Sequence, residues 1–122
     1  MLMRGYSGSR AYCQSKLAQV MFTIDLARAL EGSGITVNAL HPATYMDTTM
    51  VHQAGIAPIN TVDTGAEAIL NLALSPALEG KSGLFFNGLH EAKANAQAYD
   101  AKAREELRAA SLRLTGLNAF PS

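Results

Sequence analysis

Tyr12 and Lys16, in the run Ser9-Arg10-Ala11-Tyr12-Cys13-Gln14-Ser15-Lys16-Leu17-Ala18, are residue types that can exchange protons with a substrate. Residues four apart on a helix stand about 5–6 Å apart at Cβ, so the two side chains share a face and the ammonium can lie near the phenol. A free phenol titrates near pH ~10, too high for rapid proton exchange with an alcohol or carbonyl at neutral pH, and a fixed positive charge beside it favours the phenolate. A hydride transfer to or from a carbonyl carbon needs acid/base chemistry of this kind. Taken alone, the spacing fits a surface aromatic beside a solvated lysine at least as well.

The pair needs a helix, and the flanking sequence supplies one. Ser7 or Ser9 can cap a helix that runs to about Glu31, where Gly32-Ser33-Gly34 gives a stop. At about 100° per residue the helix carries two apolar stripes. Cys13, Leu17, Val20, Met21 and Ile24 lie on one side; Ala11, Ala18, Phe22, Leu26 and Ala29 lie on the other. Tyr12, Lys16, Gln19 and Thr23 form a band between them. Two stripes call for two partners. One can be a sheet face, and the second is either a helix of another subunit, giving a homo-oligomer through this long helix, or the rest of a larger core.

Ile35 to Leu40 is β-branched and alternating, entered through Gly34 and ended by His41-Pro42, which predicts a strand that stops at the proline. In open α/β sheets ligands lie beyond the carboxyl ends of the strands, so Pro42-Ala43-Thr44-Tyr45-Met46-Asp47-Thr48-Thr49 stands where a ligand loop would be. The same residues could merely cap the next turn. Gly55 and Pro58 break any long helix between Val51 and Asn60. Thr64-Gly65-Ala66-Glu67 has the capping-box pattern and opens a helix through Ile69, Leu70, Ala73 and Leu74 to Ser75-Pro76. Gly83 to Asn87, after the turn-like Glu79 to Ser82, predicts a short buried strand, the last of the sheet. Asp100 can cap a final helix to about Leu114, with Ala103, Leu107, Ala110 and Leu114 as its apolar stripe and Gly116 as its end. Glu105 and Glu106, beside Arg104 and Arg108, would form its solvated side.

Composition narrows the function classes. A chain of 122 residues suits one small domain, and ten basic against ten acidic residues leave no net charge to draw nucleic acid or an anionic membrane. Cys13, the one cysteine, cannot form an internal disulfide and reads as a small packed hydrophobe in a reducing compartment. With no basic-then-apolar leader and no apolar run near ~20 residues, the expected location is cytoplasmic. His41, His52 and His90 lack metal-ligand spacing. Gly5-Tyr6-Ser7-Gly8-Ser9 lacks the G-x-S-x-G spacing of a hydrolase nucleophile.

Tyr12-Cys13-Gln14-Ser15-Lys16-Leu17-Ala18, then Leu26-Ala27-Arg28-Ala29-Leu30, then Gly34-Ile35-Thr36-Val37-Asn38-Ala39-Leu40-His41-Pro42 together resemble the catalytic half of the short-chain dehydrogenase/reductases, most closely the retinol-dehydrogenase-like branch. The resemblance runs from about Tyr6 to Phe86, with a looser match in the C-terminal helix. It implies an α/β fold: the C-terminal half of a Rossmann-type doubly wound parallel sheet, with a long catalytic helix, two strands and flanking helices. Residues 1–122 would then be one partial domain. It further implies an oxidoreductase that interconverts a small-molecule alcohol and carbonyl with NAD or NADP. Tyr12 would be the acid/base, and Lys16 would favour its phenolate and hold the nicotinamide ribose hydroxyls. Pro42, Ala43, Thr44, Tyr45 and Thr48 would lie against the cofactor, and the segment from Val51 to Asn60 would form a mobile cover over the substrate. In the family the loop begins Pro-Gly; here Ala43 replaces the glycine, and Asp47 stands where threonine is common, with Thr48 and Thr49 just beyond.

The family's Gly-rich turn, its Asn-Ala-Gly segment and its serine about a dozen residues before the tyrosine do not occur in these 122 residues, and Ser7 and Ser9 stand too near Tyr12 to be that serine. Met1 therefore reads as a truncation, an alternative start or a partial gene, and the chain alone is expected to be inactive. The choice between NAD and NADP belongs to the half that is not here. Two rivals stand beside this enzyme. A nucleotide-sugar epimerase uses the same pair, but a larger substrate domain should follow its last strand, where only one helix is expected. A non-catalytic module would fold or associate by docking its sheet edge and helix stripe onto another chain.

Overall fold

Residues 6–42, 55 and 61–119 are described by the structure, a computed structural model. Helix α1 spans Gly8–Ala29. Ser7 precedes it in extended conformation, and its side-chain oxygen accepts from the Arg10 N–H at 3.1 Å, so Ser7 is the cap and Ser9 lies in the first turn. The helix stops two residues before Glu31, with the Leu30 N–H on the Leu26 carbonyl at 3.0 Å. Gly32 and Gly34 both take φ near +82°, a conformation open to glycine, and turn the chain toward the sheet.

Strand β1 (Ala39–His41) pairs in parallel with β2 (Phe85–Asn87), with Leu40 opposite Phe86, and β2 pairs antiparallel with β3 (His90–Ala92). The sheet is therefore mixed, in the order β1-β2-β3, and Phe85–Asn87 is its middle strand rather than its last. The strand beyond the expected two arises from Gly88-Leu89, a two-residue hairpin loop whose first residue takes φ +61°. Strand β1 is also shorter than the six residues from Ile35 to Leu40. Before Ala39 the approach to β2 is made partly by side chains: the Val37 N–H donates to Ser82 Oγ at 3.0 Å, and the Leu84 N–H donates to Asn38 Oδ1 at 3.0 Å. The ladder becomes regular only at the Ala39 N–H, which donates to the Leu84 carbonyl at 2.9 Å.

Helix α2 spans Val62–Leu74 and packs on β1. Its cap is Thr61 and not Thr64: the Thr64 N–H donates to Thr61 Oγ1 at 3.2 Å, which places Thr64 inside the first turn. Two threonines three apart can each cap, and the one further upstream wins because Val62 and Asp63 accept helical geometry, adding most of a turn. Gly65 and Ala68 are the buried side of α2. Helix α3 (Ala101–Thr115) begins at Asp100, whose carboxylate accepts from the Lys102 and Ala103 N–H groups, and ends at Gly116 in the left-handed region with φ +73°.

The core lies between α1, α3 and the short 3-10 helix Ala96–Tyr99. Met21, Ile24 and Ala98 are its buried centre, with Leu17, Val20, Ala94, Ala103 and Leu107 packed around them. Burying a side chain the size of Met21 contributes about 1.5–3 kcal/mol. Of the two stripes on α1, the one through Leu17, Val20, Met21 and Ile24 thus faces the core, but Cys13 at its start is exposed rather than packed. On the other stripe Ala11, Ala18 and Leu26 are half-buried, whereas Phe22 and Ala29 are exposed. Thr23, expected in the polar band, is buried, its hydroxyl donating to the Gln19 carbonyl at 2.9 Å.

The charged side of α3 is solvated only in part: Glu105 and Glu106 are exposed as the sequence suggested, whereas Arg104 is buried and Arg108 half-buried. Arg104 is 4% exposed: its Nε donates to Asp25 Oδ1 at 2.8 Å and its Nη1 to the Ala98 carbonyl at 2.9 Å. Arg108 Nη1 donates to Asp25 Oδ2 at 2.5 Å. One carboxylate on α1 thus takes two guanidinium groups from α3, which satisfies charges that burial would otherwise penalise. Leu114, at the end of the α3 stripe, is exposed. Among the described residues no helix is long and apolar enough to cross a membrane.

Candidate active site

Tyr12 sits in the second turn of α1, on a helix whose middle is fixed by the packing of Leu17, Val20, Met21 and Ile24. Its side chain is 58% exposed, and Lys16 on the following turn is exposed beside it. The Lys16 ammonium lies 5.5 Å from the centre of the Tyr12 ring, within cation–π range. Helical phase thus brings the two together on one face, as their spacing requires. Ser15 Oγ donates to the Tyr12 carbonyl at 2.8 Å within the same turn. Cys13 points to solvent and takes no part in the core.

Pro42 follows β1 directly and is half-buried. The Gly88 N–H donates to the His41 carbonyl at 2.8 Å, so the end of β1 is tied to the β2–β3 turn. Because β1 and β2 are parallel, their carboxyl ends open on the same side of the sheet, where ligands of open α/β folds are held. Ala43, Thr44, Tyr45 and Thr48, like Asp47, lie outside the described residues. Two open grooves occur elsewhere, one along α2 and one where Gly34 to Thr36 pass Gly80 to Gly83. Neither is lined by Tyr12, Lys16 or Pro42 among the described residues. Among those residues there is also no group of three metal-ligating side chains.

One residue that shapes the opposite, amino-terminal end of β1 and β2 escaped the sequence reading. Asn38 stands in a run that reads as plain strand, yet its amide both donates to the Lys81 carbonyl at 2.9 Å and accepts from the Leu84 N–H. The available signal was an amide side chain in the run from Ile35 to Leu40, where Thr36 is the other polar residue.

Among curated proteins, human (Homo sapiens) retinol dehydrogenase 13 is 37% identical to the chain over 131 residues, covering 95% of it. Human retinol dehydrogenase 11 is 37% identical over 120 residues and human retinol dehydrogenase 12 is 34% identical over 120, each covering 92% of the chain. The chain is a short-chain dehydrogenase/reductase sequence of the retinol-dehydrogenase-like kind. It spans 39% of the length of retinol dehydrogenase 13 and 38% of that of retinol dehydrogenases 11 and 12. No protein-family model and no solved structure matches it.

A nicotinamide dinucleotide offers ribose hydroxyls and a carboxamide, which need unengaged donors at the rim of the sheet. In this retinol-dehydrogenase-like chain the Lys16 ammonium makes no hydrogen bond or ion pair among the described residues beyond its contact with the Tyr12 ring, and both side chains reach solvent. An ammonium with three rotatable donors suits a vicinal diol, so the donor set fits the group.

Proposed function

We propose that these residues are the catalytic part of an NAD(P)-dependent oxidoreductase that interconverts an alcohol and a carbonyl, in the C-terminal half of a Rossmann-type fold. The observation that carries the proposal is the Tyr12–Lys16 pair, solvent-facing on one side of α1, in a chain whose relatives are retinol dehydrogenases. The nicotinamide, when bound, supplies or accepts the hydride. The chain's own residues do the rest. In oxidation the Tyr12 phenolate takes the proton of the alcohol, in reduction the Tyr12 hydroxyl returns one to the carbonyl oxygen, and Lys16 would hold the ribose hydroxyls. Pro42, Ala43, Thr44, Tyr45 and Thr48 would hold the carboxamide of the cofactor. Since the named relatives are retinol dehydrogenases, a retinoid alcohol is the first substrate to assay.

The test is turnover of retinol with NAD and NADP, and of retinaldehyde with the reduced forms, by the native gene product expressed from its whole reading frame. Tyr12→Phe removes the proton donor and should lower kcat ~10²–10⁴-fold with cofactor affinity nearly unchanged. Lys16→Ala should in addition weaken cofactor binding. Unchanged turnover in Tyr12→Phe would sink the assignment. The 122 residues by themselves contain no Gly-rich turn to receive a pyrophosphate, and are expected to show no saturable binding of either dinucleotide in calorimetry.

A further inference from the structure

Helix α2 carries an uncovered stripe. Asp63, Glu67, Leu70 and Leu74 follow one another at spacings of four, three and four, so they share a face, and with Leu89 of the β2–β3 turn they line an open groove. Leu70 and Leu74 are 57% and 73% exposed. Asp63 and Glu67 at the amino-terminal end of the same groove make no ion pair among the described residues. The groove therefore has Leu70, Leu74 and Leu89 at one end, beside Asn71 and Ser75, and at the other two carboxylates without an ion-pair partner among the described residues.

The carboxyl-terminal end of α3 is its complement. Leu114 and Leu117 are 71% and 63% exposed, and Arg113, four residues before Leu117, is exposed and makes no ion pair among the described residues. A positive charge beside two bare leucines answers two negative charges beside two bare leucines. Both surfaces are open on one chain, so neither covers the other. A second copy supplies both at once, and the net charge of zero sets up no overall repulsion between copies.

We propose that the groove along α2 receives the Arg113–Leu117 end of α3 from a second copy of this chain, and that the exchange is reciprocal. A reciprocal exchange is isologous: it uses the same two patches on each partner and closes at the dimer. The contact lies apart from Tyr12 and Lys16, so it does not depend on the proposed catalytic activity. It also differs from an association through the exposed residues of α1.

The experiment is sedimentation equilibrium on the native gene product across a concentration series, with Glu67→Arg, Arg113→Glu and the double charge swap. Both positions are exposed on helices, and circular dichroism checks that each variant keeps its fold. Either single swap sets like charges opposite one another and should weaken the dimer ~10²-fold, while the double swap restores it to within a few-fold. A monomer at every concentration overturns the proposal, whether the groove is then bare or covered by another segment of the same gene product. A dimer indifferent to both single swaps, or one not restored by the double swap, overturns it as well. Dissociation by Phe22→Ser on α1, with no effect of the charge variants, would move the interface to α1 and refute the α2 groove.

Discussion

Replacing Asp25 by asparagine should be among the most damaging single-atom changes available in this chain. The Asp25 side chain is 9% exposed and receives Arg104, 4% exposed, and Arg108, 34% exposed. Asparagine keeps one acceptor oxygen but loses the charge, and it turns an NH₂ group toward one of two guanidinium groups. Arg104 keeps its bond to the Ala98 carbonyl at 2.9 Å, but its charge is left buried without a counter-ion. Removing one member of a buried pair costs about 3–5 kcal/mol. The retained oxygen and the Ala98 bond put Asp25→Asn at the low end, about 3 kcal/mol. Arg108→Ala acts on a partly exposed partner, where solvent screening reduces the effect to about 1 kcal/mol or less. With a urea slope of about 1.5 kcal/mol per molar, Asp25→Asn should lower the unfolding midpoint by about 2 M and Arg108→Ala by less than ~0.7 M. Urea titrations followed by circular dichroism read both. Equal shifts in the two variants, or an Asp25→Asn midpoint within ~0.5 M of the parent, would refute the claim that one buried carboxylate clamps α3 to α1.

Two further outcomes follow from side-chain hydrogen bonds at the start of the sheet and of α2. Asn38→Ala removes an amide that bonds both the Lys81 carbonyl and the Leu84 N–H, so it should cost about 1–3 kcal/mol and strip protection from the Leu84 amide in hydrogen exchange. Unchanged Leu84 protection would contradict the side-chain bridge. Thr61→Ala should lower stability by about 1 kcal/mol and unwind the first turn of α2, with a smaller loss for Thr64→Ala, as seen in thermal melts and amide shifts. The reverse order would return the cap to Thr64.

The α1 turn that carries the candidate pair was legible because its causes are local. Ser7 lies next to the N–H group it caps, Asp100 and Gly116 lie at the ends they close, and Tyr12 and Lys16 meet by helical phase alone. Each depends on residues within about one turn, and short-range geometry of this kind repeats wherever the pattern occurs. Thr61 and Thr64 mark the edge of that legibility. Both satisfy the same local rule, and what separates them is whether Val62 and Asp63 join the helix.

What sequence spacing could not supply were the partners that come from far along the chain. Arg104 and Arg108 sit among glutamates that would screen them in isolation, and only the approach of Asp25, 79 and 83 residues away, draws them into the interior. Asn38 reads as a strand residue until residues 43 and 46 positions later come alongside and turn its amide into a bridge. Strand β3 likewise needed β2 as its template, although Gly88 already offered the turn. The sequence determined where α1 starts, where α3 starts and stops, and that a phenol and an ammonium share a face, because those follow from bonds and phase within a few residues. The tertiary structure decided which charges are buried, where the ladder begins and how many strands join it. Those outcomes depend on desolvation and pairing between segments whose meeting no local pattern records.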